Sequence, residues 1–228
     1  MSGLFKSDLS DEDLLQLARL ANQAERYSDC IRFLSAFIQR SSRDLSSEEL
    51  NLLIEAHMNE VGGRRTALRS LRSTPQPEHA QSLASLRHLI ETQMLQLCSE
   101  LLELFDLLLG RVTSVENRVF YLKLKGCYAG YICDTALEVR NEYVEKALTA
   151  YTDALSVARF ELSPAHCCRL QVALYLSTFY YDTLQDTEKA CLLAQHTLDE
   201  AAQDPTHLSA DSASILQLIR DCLVLWTQ

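Results

Sequence analysis

Structure breakers are scarce in this chain: its 228 residues include only 6 glycines and 4 prolines. Strands need turn chemistry at close intervals, so this poverty excludes a β-rich fold and points to an all-α one. No uninterrupted apolar run approaches membrane-spanning length, and the first residues lack the basic and apolar regions of a secretion signal. A soluble, cytoplasmic protein with no membrane partner is therefore expected. Positive charge is also short, with 21 Lys and Arg against 31 Asp and Glu and a formal charge of -10. That balance argues against nucleic acid as a partner. The 8 cysteines form no Cys-x-x-Cys pair and the 6 histidines show no ligand spacing, so neither a metal nor a cofactor is expected. Most cysteines fall at apolar helical positions and read as small buried hydrophobes in a reducing compartment. A Gly-rich phosphate loop, a nucleophile elbow and a convincing acid/base pair are all missing, which makes an enzyme the least favoured class. Vicinal Cys167 and Cys168 beside His166 invite a thiol nucleophile near a helix N-terminus. Adjacency does not orient a base, however, and a buried structural role is the plainer reading.

What the chain does have is legible helix punctuation. Ser10 precedes early acids, with Leu9 and Leu14 as a staple, and Ser46 with Glu49 forms a capping box. Thr113 with Glu116 predicts another box, Ser163-Pro164 places proline at a first helical position, and Ser209 opens a last helix. Breaks fall near 41–44, 74–78, 110 and 203–206. The spacing predicts nine helices at roughly 11–25, 27–40, 47–73, 78–109, 114–134, 137–160, 164–184, 187–202 and 209–227. No break is long enough for a flexible linker, so a single domain spanning 1–228 is expected, an antiparallel helical array. Faint repetition at Glu25-Arg-Tyr27, Asn141-Glu-Tyr143 and Gln185-Asp-Thr187 suggests stacked, tetratricopeptide-like hairpins with a concave groove.

The most informative stretch is Val119-Phe-Tyr-Leu-Lys-Leu-Lys-Gly126, continuing to Tyr131. Its apolar spacing predicts one amphipathic helix, with Lys123, Cys127, Gly130 and Tyr131 along a single face. The segment closely resembles the signature of the 14-3-3 family, dimeric helical adaptors that bind phosphorylated peptides. Further blocks carry the resemblance across nearly the whole chain: Ala18 to Tyr27, Asn51-Leu-Leu with Gly62-Gly-Arg-Arg65, Phe179-Tyr-Tyr181 with Glu188-Lys-Ala190, and Leu218-Ile-Arg-Asp221 to Trp226.

The resemblance implies a groove with one basic and one apolar wall. By that match Arg65 is a phosphate-gripping arginine, Tyr131 supplies a hydroxyl beside it, and Lys123 and Arg69 flank them. Leu174, Ile215, Leu218, Leu225 and Trp226 match the apolar wall, with Thr178 beside them, and Asp182 stands where the family has glutamate. Four positions depart from the pattern. A lysine is replaced by Met58, a second arginine by Gly130, and two peptide-holding asparagines by Tyr175 and Cys222. A phosphate needs convergent charge-assisted donors, so weakened or altered phosphopeptide binding is expected. Read without the resemblance, Arg64, Arg65 and Arg69 are equally a solvated helix face. Tyr175 is either a filler of the groove or an aromatic platform for another ligand.

The resemblance also implies a dimer. Leu20, Ala24, Arg26 and Asp29 match the first-helix side of the family's interface, while Leu86, Leu89 and Gln93 replace polar or charged residues of the receiving side. Three functions follow: an adaptor for protein or peptide clients, a subunit that dimerises with an orthodox family member, or a phosphate-independent, tetratricopeptide-like peptide binder.

Overall fold

The computed structural model describes residues 9–73, 79–135, 137–204 and 208–228. Among these residues there are nine α-helices and no strand, as the scarcity of glycine and proline predicts. The helices gather into two compact units, Met1–Arg111 and Val112–Gln228.

The first unit holds α1 (Asp11–Gln23), α2 (Tyr27–Arg40), α3 (Ser47–Ser73) and α4 (Ala80–Leu109). Ser10 opens α1 with a capping box: its hydroxyl accepts from the Asp13 amide at 3.1 Å, and the Asp13 carboxylate accepts from the Ser10 amide at 3.0 Å. The box predicted at Ser46 and Glu49 is also present, at 3.3 and 2.8 Å. Arg43 grips the same Glu49 carboxylate through both guanidinium ends, at 2.8 and 2.6 Å, and holds it below the usual carboxylate range. Leu14, Ala18 and Ala21 bury one stripe of α1 against α2, whose Leu34, Phe37 and Ile38 complete that core. The buried stripe of α4 begins late. Met94, Cys98, Leu101, Leu104, Phe105 and Leu108 are buried, whereas no residue from 80 to 93 is.

The second unit holds α5 (Val115–Thr135), a 3-10 turn (Leu137–Val139), α6 (Arg140–Glu161), α7 (Cys167–Thr178), a π-helical turn (Phe179–Thr183), α8 (Thr187–Ala202) and α9 (Ala210–Trp226). Its core packs α5 along α6 and α7, around Val119, Tyr151, Ala154, Leu176 and Phe179. A second cluster joins Leu170, Ala190, Ala194, Ile215, Ile219 and Trp226 from α7, α8 and α9.

Three expectations are corrected here. The helix α5 is not amphipathic with one buried face: Gly126 through Gly130 are buried consecutively, because α6, α7 and the π turn enclose it from several sides. Ser114, not Thr113, caps α5, accepting from the Asn117 amide at 3.3 Å and donating to the Glu116 carboxylate at 2.8 Å. Pro164 does not start α7. Residues 163–166 form a turn closed by His166 N–H on the Ser163 carbonyl at 3.0 Å, and the helix begins three residues later under the His166 side chain. The break expected at 74–78 and part of that at 203–206 lie outside the described residues.

The repetition near Glu25 and Gln185 has a backbone counterpart. Both residues adopt left-handed φ angles, 55° and 57°, at the reversal between consecutive helices. Glycine usually occupies such helix-terminating positions.

Candidate functional site

In the second unit the site positions lie on α5, α7 and α9. Lys123 is buried on α5, only 6% exposed, and its ammonium donates to the Gln171 side-chain carbonyl at 2.7 Å. The charge also sits 4.3 Å from the centre of the Phe120 ring and 5.3 Å from that of Tyr175. Burial pulls its pKa below the ordinary lysine value, opposed by the thiols of Cys127, Cys168 and Cys167. This is a cation held inside an aromatic and amide cage, with one donor taken by Gln171 and its charge beside two rings.

Gly130 is buried about two turns further along α5. A Cβ there would stand 3.5 Å from two carbons of the Phe179 ring, an ordinary contact, so the helix itself does not demand glycine at this position. Gly126 is different. A Cβ on it would lie 2.6 Å from the Tyr151 ring, which is buried and donates its hydroxyl hydrogen to Cys127 Sγ at 3.4 Å. Tyr131 is half-buried, its ring edge-on to Tyr128 at 5.7 Å.

On α7, Leu174 is half-buried and Tyr175 is 42% exposed beside it. Thr178 donates to the Leu174 carbonyl at 2.9 Å, which turns its polar atom back onto the helix. On α9, Leu218, Cys222 and Leu225 fall at helical spacing on one face; both leucines are exposed and Cys222 is half-buried. Ile215 and Trp226 are instead buried, the indole stacked on Tyr181 at 5.0 Å. Exposed Asp182 lies close enough to Cys222 to help push that thiol's pKa up, after burial and with Asp221. The sequence-predicted apolar wall thus divides into a solvent-facing set, Leu218 and Leu225 with Tyr175, and two core residues beneath it.

In the first unit Met58, Arg65 and Arg69 share one face of α3, seven and four residues apart. Met58 is 67% exposed, Arg65 half-buried and Arg69 exposed. Arg64 turns back to Glu60, pairing with its carboxylate at 2.6 Å and its carbonyl at 3.0 Å. Both Arg64 and Arg65 lie near enough to buried Cys98 of α4 to oppose the rise that burial gives its thiol's pKa. Of the interface positions, Leu20, Leu86 and Leu89 are about half exposed, at 50, 45 and 53%. Ala24 and Arg26 are exposed, Asp29 is half-buried, and the Arg26 guanidinium pairs with the Asp29 carboxylate at 2.6 Å within the chain.

One constellation, weighed in the sequence only as a thiol nucleophile, has a geometry that spacing did not show. One imidazole nitrogen of His166 and the sulfurs of Cys167 and Cys168 all lie within 4.8 Å of one another at the start of α7. Consecutive residues inside a helix diverge, which is why spacing alone hides such a cluster.

The described residues form an all-helical protein in which no helix is long and apolar enough to cross a membrane. The family model for 14-3-3 protein matches residues 17–227. The chain is 39% identical over 226 residues to 14-3-3 protein theta of Mus musculus, covering 94% of this chain and 92% of that protein. It is 40% identical over 226 residues to 14-3-3-like protein 1 of Caenorhabditis elegans, covering 95% and 91%. With 14-3-3 protein 2 of Entamoeba histolytica the identity is 38% over 231 residues, covering 96% of each. The chain belongs to the 14-3-3 family. It is accordingly a non-enzymatic adaptor for protein partners.

Proposed function

We propose that residues 1–228 act as one divergent 14-3-3-like adaptor module in the cytoplasm, binding protein segments with weakened or altered dependence on phosphate. The observation that carries this reading is the engagement of Lys123 by Gln171, Phe120 and Tyr175. An incoming phosphate must compete with these partners for the ammonium. Tyr175 stands where the resemblance puts an asparagine, so the same substitution removes a peptide-holding amide and closes over the lysine.

The other departures act in the same direction. Gly130 supplies no guanidinium and Met58 no ammonium where the family resemblance implies both. Hydrogen bonds to charged groups contribute about 1.5–3 kcal/mol each, so the two losses weaken a phosphate contact by about 3–6 kcal/mol, on the order of 10²- to 10⁴-fold. Arg65, Arg69 and Tyr131 keep the ligand-facing roles that the resemblance implies. Leu174, Leu218 and Leu225 offer apolar contact that is indifferent to phosphate.

Titration calorimetry with one peptide in phosphorylated and unphosphorylated form tests the reading. Affinities within about tenfold of each other, a difference near 1.4 kcal/mol, are expected. A phosphate preference above about 10³-fold contradicts it. Exact equality of the two supports a purely phosphate-independent, tetratricopeptide-like peptide binder.

A second reading rests on the first half of α4, where no residue from 80 to 93 is buried although Leu86 and Leu89 lie there. Together with Leu20 these leucines form apolar surface suited to a homodimer or to a heterodimer with an orthodox family member. Light scattering should show a dimer at micromolar concentration; a monomer there removes the homodimer. Failure to co-purify with any family member from the native cell removes the heterodimer.

A further inference from the structure

The geometry points to a binding site for a thiophilic metal ion, Zn²⁺ in type, formed by His166, Cys167 and Cys168 at the N-terminus of α7. Neutral imidazole and thiolate are the ligands that such an ion selects, and three protein ligands leave one position open for water or a further ligand.

Adjacent residues reach a common point here because the helix has only just begun. His166 has extended backbone angles, φ -68° and ψ 131°, and caps the helix by accepting the Cys168 amide hydrogen at Nδ1, 3.3 Å away. Capping holds the imidazole over the first turn beside Cys167 and Cys168; to ligate the ion, the ring must release the Cys168 amide from its Nδ1 lone pair, or shift its proton to Nδ1 and offer Nε2. The three ligand atoms lie within 4.8 Å of one another. Bonds of about 2.3 Å to sulfur and about 2.0 Å to nitrogen set ligand atoms about 3.4–3.8 Å apart around a tetrahedral ion. The cluster therefore needs a contraction of about 1 Å, within reach of side-chain rotation about the Cα–Cβ bonds. All three residues are half-buried, so an ion can enter without unfolding the helix.

The alternative fate of two neighbouring thiols is a disulfide, and the backbone opposes it. Consecutive Cα atoms are about 3.8 Å apart, below the usual 4.4–6.8 Å span of a disulfide. The pair is better matched to a shared external atom than to a bond between its own sulfurs. Neither cysteine is in a disulfide. Thiolate is the ligand form of cysteine, so binding of the ion releases the thiol protons. Two thiolates then neutralise a divalent ion. Lys123 and Glu116 act on the Cys168 sulfur with opposite signs, the ammonium favouring thiolate and the carboxylate favouring the cation. Gln171, which holds Lys123, lies one turn beyond Cys167 on the same helix. The site therefore adjoins the Lys123 cage without sharing a residue with it.

The test uses the full chain, reduced and stripped of metal, titrated with Co²⁺ as a spectroscopic probe and then with Zn²⁺ as its competitor. One equivalent of Co²⁺ should give intense sulfur-to-metal charge-transfer absorption, and Zn²⁺ should abolish it. The Cys167→Ser/Cys168→Ser variant should lose the band and bind at least about 100-fold more weakly, while Cys191→Ser/Cys222→Ser keeps both. Serine suits the first turn of a helix, so the variant should fold, which circular dichroism checks. His166→Asn, which retains an acceptor for the Cys168 amide, should bind about tenfold more weakly. Absence of the band in the wild-type chain, or its survival in the double serine variant, overturns the proposal. Alkylation mapping of the wild-type chain provides a readout independent of any variant. Zn²⁺ should protect Cys167 and Cys168 while Cys191 and Cys222 still react, and identical labelling with and without Zn²⁺ overturns the proposal as well.

Discussion

Two glycines four residues apart on α5 should respond to alanine with opposite signs. Each replacement removes backbone freedom from the unfolded chain and gains about 1 kcal/mol of helix propensity. At Gly130 nothing opposes that gain, because the new methyl meets Phe179 at 3.5 Å, an ordinary contact. At Gly126 the methyl would lie 2.6 Å from two Tyr151 ring carbons and 2.7 Å from a third. Carbon atoms pack at about 3.5–4.0 Å, so the ring must retreat by about 1 Å. It has little room: the ring is 3% exposed, packs 5.6 Å from the Phe179 ring centre, and donates to Cys127. Overpacking costs about 1–3 kcal/mol and a strained hydrogen bond about 1 kcal/mol more. Gly126→Ala should therefore destabilise by about 1–3 kcal/mol net, while Gly130→Ala stabilises by up to about 1 kcal/mol. For a chain of this length each kcal/mol moves the melting temperature by about 2–4 °C, so the two variants should melt on the order of 10 °C apart. Thermal and urea unfolding followed by circular dichroism measure the difference. Equal shifts, or a stabilising Gly126→Ala, would refute the packing argument.

Other consequences follow from single groups. His57 is fully buried with Nδ1–H on the Leu53 carbonyl at 2.7 Å, and burial lowers its pKa from 6.5 to about 4. The unfolded chain takes up this proton first, so the stabilisation is complete above pH 6.5 and is lost as pH falls toward 4, about 3 kcal/mol in all. His57→Leu should flatten the unfolding profile across that window, and an unchanged slope would refute the assignment. Arg169 is buried between the Leu162 carbonyl at 3.2 Å and the Glu200 carboxylate at 2.8 Å. Glu200→Ala should cost about 2–3 kcal/mol in urea unfolding because it strands a buried guanidinium. Lys123→Met should change stability by less than about 1.5 kcal/mol, since a similar apolar stem stays under the same two rings. A large loss would mean that the cage stabilises the fold.

Much of the fold was legible because local rules and packing agree. Ser10, Ser46 and Ser209 cap as their sequence context predicts, and the apolar spacing of α1 and α2 is their core stripe. Local rules misled where two candidates competed. Ser114 displaced Thr113 as cap, and Pro164 entered a turn because His166 offered a side-chain acceptor four residues before the first buried leucine of α7, Leu170. The site was legible only as a roster of positions. That Lys123 is enclosed depends on Gln171 and Tyr175, which are distant in sequence and meet it only through packing of α5 on α7. The trio of His166, Cys167 and Cys168 was noticed as a candidate nucleophile but not as a ligand set, since helical spacing rules assume a helix already under way.

The central claim is that phosphate recognition has been reduced by the loss of two cations and the capture of a third. It is tested most directly by titrating one phosphopeptide into the wild-type chain and into Gly130→Arg/Met58→Lys. The account predicts weak wild-type binding and a gain on the order of 10²- to 10⁴-fold in the double variant, abolished when the peptide is dephosphorylated. Strong phosphate-dependent binding by the wild-type chain, or a folded double variant that gains nothing, would contradict it.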